Sequence, residues 1–210
     1  MSLGMGAVLM EEGLLPLPGV PAEDPLGVIV LRLRAGDVEA FEDLMARTEQ
    51  RILALAWRIL GDQDLARDAA QETYLRIFRS LASFRLGEPF EGWMVRIAVN
   101  VCHDLARKRG PLPVPAEVLD SFEGDAASMG AEETVLLHQR RALIRQSLAN
   151  LPQAERAALV LRDLEGFSTE EVARIMGLRP VTIRSQVASA RIKVRAACAR
   201  LMQPNPGGLP

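Results

Sequence analysis

The residue types with the most chemical content lie between Ser168 and Arg195, in the run STEEVARIMGLRPVTIRSQVASARIKVR. What Arg179, Thr182, Arg184, Ser185, Gln186, Ser189, Arg191 and Lys193 can do is recognition rather than catalysis. Arg184 and Gln186 carry the planar groups that match base edges in a DNA major groove, and the flanking Arg191, Lys193 and Arg195 suit phosphates. From Val172 onward the chain holds seven Arg or Lys and no acid, the one-signed footprint of a phosphate-binding surface. A second set lies upstream. Arg96, Asn100, His103 and Arg107 recur at helical steps, with Lys108 beyond them, Trp93 before them and a loop containing Arg85. Positive charge, an amide and aromatic or guanidinium planes are what single-stranded or partly melted DNA requires. A third set, Asp68, Gln71, Glu72, Leu75 and Arg79, follows three- and four-residue steps and so lines one exposed strip of a helix.

The elements that position the first set are legible. Ser168 followed three residues later by Glu171 is a capping box and starts a helix. Val172, Ile175 and Met176 form its apolar stripe, and Gly177 gives the permissive backbone for a turn ending at Arg179. Pro180 suits the first position of a second helix, in which Ile183, Val187 and Ala190 face inward while Thr182, Arg184, Ser185, Gln186 and Ser189 face away. This is a helix-turn-helix with a polar second helix sized for the major groove.

Composition narrows the function. In 210 residues, 49% are hydrophobic and 25% charged, which is globular, and all periodic segments are helical. The fold class expected is all-α: two small helical domains joined by a flexible linker, the C-terminal one containing the helix-turn-helix. Net charge is only -2, so the cations must be segregated to bind nucleic acid, and they are. Cys102 and Cys198 lack metal-ligand spacing, so neither a metal nor a disulfide is expected. No cofactor motif, phosphate loop, paired-histidine metal motif or nucleophile elbow is present, and no enzymatic activity is expected. Without a membrane-length apolar run or signal-peptide pattern, the expected location is the cytoplasm, with no membrane insertion and no small-molecule substrate.

In chain order, residues 1–25 read as a mobile tail. A first domain spans 26–110. It begins with a short helix over Leu26–Arg34 and a longer one capped by Asp37 and running to about Leu60, with Phe41, Leu44, Met45, Ile52, Leu55 and Ile59 inward. A third helix, about Gln63–Leu81, buries Ala66, Ala70, Tyr74, Ile77, Phe78 and Leu81. A fourth, about Phe90–Lys108, turns Trp93, Ile97, Ala98, Val101 and Leu105 inward. Residues 111–133, rich in Pro and acid without one Lys or Arg, form the linker. The second domain spans 134–203. Val135, Leu136, Leu143, Ile144, Leu148 and Leu151 pattern its start, and a helix opened by Pro152 runs through Leu164 with Ala157, Val160, Leu161 and Leu164 inward. Residues 204–210 are a second tail.

Taken together, these segments resemble the sigma factors of bacterial RNA polymerase, specifically the minimal two-domain extracytoplasmic function (ECF) group of the sigma-70 family. LARDAAQETYLRIFRSLASF is similar to the segment that docks on the polymerase clamp helices, and Asp68, Gln71 and Glu72, with Leu75 beside them, fall on its core-binding positions. GWMVRIAVNVCHDLARKR is similar to the promoter-melting, minus-ten-reading segment, with Trp93, Asn100, Asp104 and Arg107 at its characteristic places. LANLPQAERAALVLRDLEGFSTEEVARIMGL followed by VTIRSQVASARIKVR resembles the minus-thirty-five-reading domain almost position for position.

The resemblance implies a factor that binds core RNA polymerase and promoter DNA and directs promoter recognition, melting and initiation, with an anti-sigma factor as a further partner. It implies region 2 over 26–110 and region 4 over 134–203. Arg179 and Val181 stand where the family has a small polar cap and Gly, Gln186 and Ser189 where it often has Arg, and Arg67 where an acid is common. The competing reading is a stand-alone helix-turn-helix regulator that binds an operator without polymerase. The helical upstream half disfavours it, since a receiver domain would alternate strands and helices.

Overall fold

The computed structural model describes residues 25–109 and 146–201, and every described element is helical. The two tails, the linker at 111–133 and the patterned Val135, Leu136, Leu143 and Ile144 lie outside the described residues.

Helix α1 (Pro25–Arg34) lies across α2 (Glu39–Leu60) and α4 (Phe90–Arg109), while α3 (Gln63–Ser80) packs against both α2 and α4. The long amphipathic α2 supplies the first core, burying Leu44, Ile52, Leu55 and Ile59. Its entry is capped as the sequence implies: Asp37 Oδ1 accepts from the Ala40 amide at 3.3 Å. It ends at Gly61, whose φ of 73° is the left-handed conformation that closes a helix and for which Gly is suited. Asp62 then caps α3 by accepting from the Leu65 amide at 2.9 Å, and takes Arg109 at the far end of α4 at 2.5 Å. Although burial works against it, these partners hold the Asp62 carboxyl below its usual pKa. Buried polar groups inside this core are paired, Thr48 sharing a 2.9 Å hydrogen bond with the Tyr74 hydroxyl and Thr73 donating to the Ala69 carbonyl at 2.6 Å.

The second domain opens with Leu148 and Leu151 buried as expected, then α5 (Gln153–Leu159), which continues directly into a π-helical segment, Val160–Leu164. The helix-turn-helix follows as α6 (Thr169–Met176) and α7 (Pro180–Leu201). Ser168 and Glu171 form the capping box reciprocally, at 3.2 Å from the Glu171 amide to Ser168 Oγ and 2.7 Å from the Ser168 amide to Glu171 Oε2. Gly177 has φ 66°, and Ile183, Val187 and Ala190 of α7 are buried against α5 and α6.

Three expected placements are corrected. Leu164 is 49% exposed rather than inward, because the wider π turn, closed by the Glu165 amide on the Val160 carbonyl at 2.9 Å, advances the register that 3.6-residue periodicity assumes. Phe78 is 63% exposed and leans edge-on against Phe41, with ring centroids 5.6 Å apart. His103 is half-buried instead of standing in an outward row: its Nε2 is enclosed without a hydrogen-bond partner, and burial lowers its pKa, so it adds no charge at neutral pH.

Candidate nucleic-acid interface

On α4 the expected reading row divides. Arg96 and Asn100 are exposed, and Asn100 shares a shallow cleft between α3 and α4 with Arg79, Ser80 and Ile97. Trp93 is half-buried and packs at a tilt against Phe84 at 5.2 Å and Phe90 at 5.4 Å between ring centroids, so this aromatic cluster props the loop that carries exposed Arg85. The cluster explains why the loop returns to the start of α4: Phe90 is fully buried beneath it. Arg107 is exposed and reaches back to Asp104 at 3.0 Å, while Lys108 is exposed with no ion pair among the described residues.

The strip on α3 is exposed as the spacing implies. Asp68, Gln71 and Leu75 are open, and Leu75 is one of the larger exposed apolar side chains. Glu72 differs. It accepts from Arg76 Nε at 2.8 Å, and Arg76 in turn donates to Asp104 of α4 at 2.9 Å. That hydrogen bond from Arg76, with the charges of Arg76, Arg107 and Lys108, holds the Asp104 carboxyl below its usual pKa. The strip therefore carries the Asp68 carboxylate, which has no ion pair among the described residues, an amide and an apolar residue, bordered by a charge network that ties α3 to α4.

Helix α7 also divides along its length. In its first turns Arg184 and Ser185 are exposed, Thr182 is half-exposed, and Arg179 stands exposed in the turn before it. Neither Arg179 nor Arg184 has an ion pair among the described residues, so both guanidinium forks are free to meet base edges or phosphates. Gln186, expected to face away, is instead half-buried with its Oε1 enclosed and unpartnered, which corrects its place among the base-reading residues. Further along, the polar residues turn back onto the domain. Ser189 donates to Glu155 at 3.2 Å, Lys193 reaches the same carboxylate at 2.7 and 2.8 Å, and Arg191 grips Asp163 through two bonds of 2.8 and 2.6 Å. Residue spacing offered no sign of these pairs, because the partners lie 28 to 38 residues apart on different helices.

Two electropositive surfaces, one with an aromatic-backed loop and one with a groove-sized helix, thus sit on the two domains, and an acid, amide and leucine strip lies on the first. Residues 44–111 match the Sigma-70 region 2 profile and residues 141–194 match Sigma-70, region 4. The chain is 35% identical over 182 residues to the RNA polymerase sigma-H factor of Pseudomonas aeruginosa, covering 83% of this chain and 94% of that protein. It is 32% identical over 172 residues to the ECF RNA polymerase sigma-E factor of Escherichia coli, covering 78% of this chain and 89% of the relative. In fold it is similar to the sigma factor RpoE of Bartonella quintana, solved with the anti-sigma factor NepR, at a TM-score of 0.62 and 22% identity over 79% of this chain and all of that one.

Proposed function

The chain belongs to the RNA polymerase sigma factors of the sigma-70 family, in their extracytoplasmic function group, and on that premise we propose how its surfaces divide the work of initiation. A sigma factor directs promoter recognition together with core RNA polymerase. Region 2, over 26–110, docks on core enzyme through Asp68, Gln71 and Leu75, with Glu72 contributing from within its pair with Arg76. The same domain takes non-template bases of the melted minus-ten element against the Arg85 loop, Trp93, Arg96 and Asn100, with Arg107 and Lys108 on phosphates. Region 4, over 134–203, lays the first turns of α7 in the minus-thirty-five major groove, with Arg179, Thr182, Arg184 and Ser185 nearest the bases. Ser189, Arg191 and Lys193 set the helix against its own domain and supply phosphate contacts second.

The observation that carries this reading is the order of the two matched regions along one chain, each presenting exposed Arg without an ion pair among the described residues. DNA binding then depends on the complex with polymerase, as neither face alone carries many free cations. Family relatives solved with anti-sigma factors support such an inhibitor as a further partner. The test is in vitro transcription with core enzyme on a genomic library: transcripts that start only when both proteins are present, downstream of two shared sequence elements, are expected. A footprint by this chain alone on an operator, unchanged by core enzyme, would replace the reading with that of a stand-alone regulator.

A further inference from the structure

Two carbonyls at the foot of the loop over 85–89 are held from a distant helix. Helix α3 ends in a 3₁₀ turn, Leu81–Ser83, and the last carbonyls of such an end have no partner within the helix itself. Ser83 Oγ turns back and donates to one of them, the Ser80 carbonyl, at 2.6 Å. Arg34, the last residue of α1, takes two more: its guanidinium donates to the Ala82 carbonyl at 3.2 Å and to the Phe84 carbonyl at 3.4 Å. A cation at the carbonyl end of a helix also suits the helix dipole. The end of α1 that presents Arg34 is itself fixed to the next helix, because Arg32 donates to Asp37 at 2.8 Å and to Asp43 of α2 at 2.6 Å.

Beyond Phe84 the chain leaves the core and returns at Phe90, both rings being buried and set edge to face at 5.3 Å. Between them the Glu88 amide donates to the Arg85 carbonyl at 3.3 Å, and Gly87 has φ 96°, closing a turn that needs a positive φ at its third residue. Leu86, 43% exposed, stands in this turn beside exposed Arg85. An apolar side chain next to a guanidinium suits packing on an unstacked base while holding its phosphate. The aromatic pair anchors side chains on either side of the loop, whereas the backbone entering the turn is held by Arg34. The Phe84 carbonyl lies in the same peptide plane as the Arg85 amide, so Arg34 fixes the first plane of the turn. We propose that Arg34 is a positioning residue of the minus-ten-reading loop: its fork on the Ala82 and Phe84 carbonyls sets the direction in which the turn meets the melted strand and so sharpens the choice among bases there. The consequence for DNA rests on the sigma-factor reading; the hold on the loop does not. A planar guanidinium spans both carbonyls at once, which the point charge of a lysine does less well.

The test pairs a measurement without DNA with one on DNA. Hydrogen exchange of the amides over 82–89 is followed in the full-length chain. Core enzyme loaded with each chain is then titrated with fork-junction DNA carrying the minus-ten element found by library transcription, and with single-base variants of it. Arg34 is exposed, so Arg34→Ala is expected to fold. It should speed exchange in the loop about three- to tenfold while leaving α2, α4 and core affinity unchanged, and lower the affinity ratio of matched to mismatched bases by about the same factor. Arg34→Lys is expected to recover part of both. Unchanged loop exchange in Arg34→Ala would overturn the proposal, as would faster exchange with base discrimination intact. Exchange that rises equally across the first domain would make Arg34 a stabilising residue only and would also overturn it. If the loop responds as expected but the unchanged chain binds no core enzyme, it is the sigma-factor reading that fails, and the hold of Arg34 on the loop stands.

Discussion

Helices α4 and α7 both bear the cations that the sequence marks for DNA, and both leave only part of that charge free. On α4 Arg96, near the start, has no ion pair among the described residues, while Arg107 and Arg109 nearer the end are drawn to Asp104 and Asp62. On α7 Arg184 is free in the first turns, while Arg191 and Lys193 are drawn to Asp163 and Glu155. The supports differ. Helix α4 runs through the middle of its domain, with α2, α3 and an aromatic cluster around it, so its reading residues stand on a rigid floor. Helix α7 lies at the edge of a small domain and is steadied by a capping box, a tight turn and ion pairs near the surface. A rigid floor suits holding unpaired bases in a fixed position, whereas a steadied but accessible helix suits insertion into a duplex groove. Counting cations in the sequence therefore overstates the charge each face offers to phosphate.

Mutation should act most strongly at the strip that only the first domain carries. Asp68→Arg with Gln71→Arg should weaken core polymerase binding by about 3 kcal/mol or more, over a hundredfold, with the fold intact because both side chains are exposed. Retained affinity in a titration of labelled protein against core enzyme would remove the strip from the interface. This pair is preferable to a change at Glu72, which would also break the Arg76 network. Next in size, Arg184→Ala should reduce discrimination at the upstream element by about 1 to 3 kcal/mol, read from transcription off promoter variants. A uniform loss on all sequences would make Arg184 a phosphate contact.

A smaller effect sharpens the contrast in supports. Ser168→Ala should lower the thermal stability of the helix-turn-helix by about 1 kcal/mol and leave the first domain unchanged, as followed by hydrogen exchange of each. The same box carries a pH dependence. The Ser168 hydroxyl and amide hold Glu171 below its ordinary pKa of 4.5, so its contribution is fully present above that value and is lost as pH falls through the lower folded-state value. In Ser168→Ala that acid sensitivity should diminish. Smallest of all, Arg191→Ala should change promoter affinity by about 0.5 kcal/mol or less with no altered sequence preference, because Asp163 already neutralises Arg191. A drop as large as that of Arg184→Ala would show that Arg191 leaves Asp163 on DNA.

What the amino-acid sequence determined by itself was everything carried by short-range periodicity and local chemistry. The helices, the Asp37 and Ser168 caps, the turn at Gly177 and the buried Ile183, Val187 and Ala190 all follow from residues within a turn or two of each other, and so does exposure of Asp68, Gln71 and Leu75. Two side chains depart from local periodicity: the π segment turned Leu164 outward, and His103 has its Nε2 enclosed. The tertiary structure decided most of which cations are free, since Glu155, Asp163 and Asp62 find their partners across helices and not along them. It alone brought Glu165 to Arg51 and Arg58, more than a hundred residues away, and set Arg156 on the end of α2. A charge's partner depends on position in space, and no spacing along one helix encodes a contact made by another.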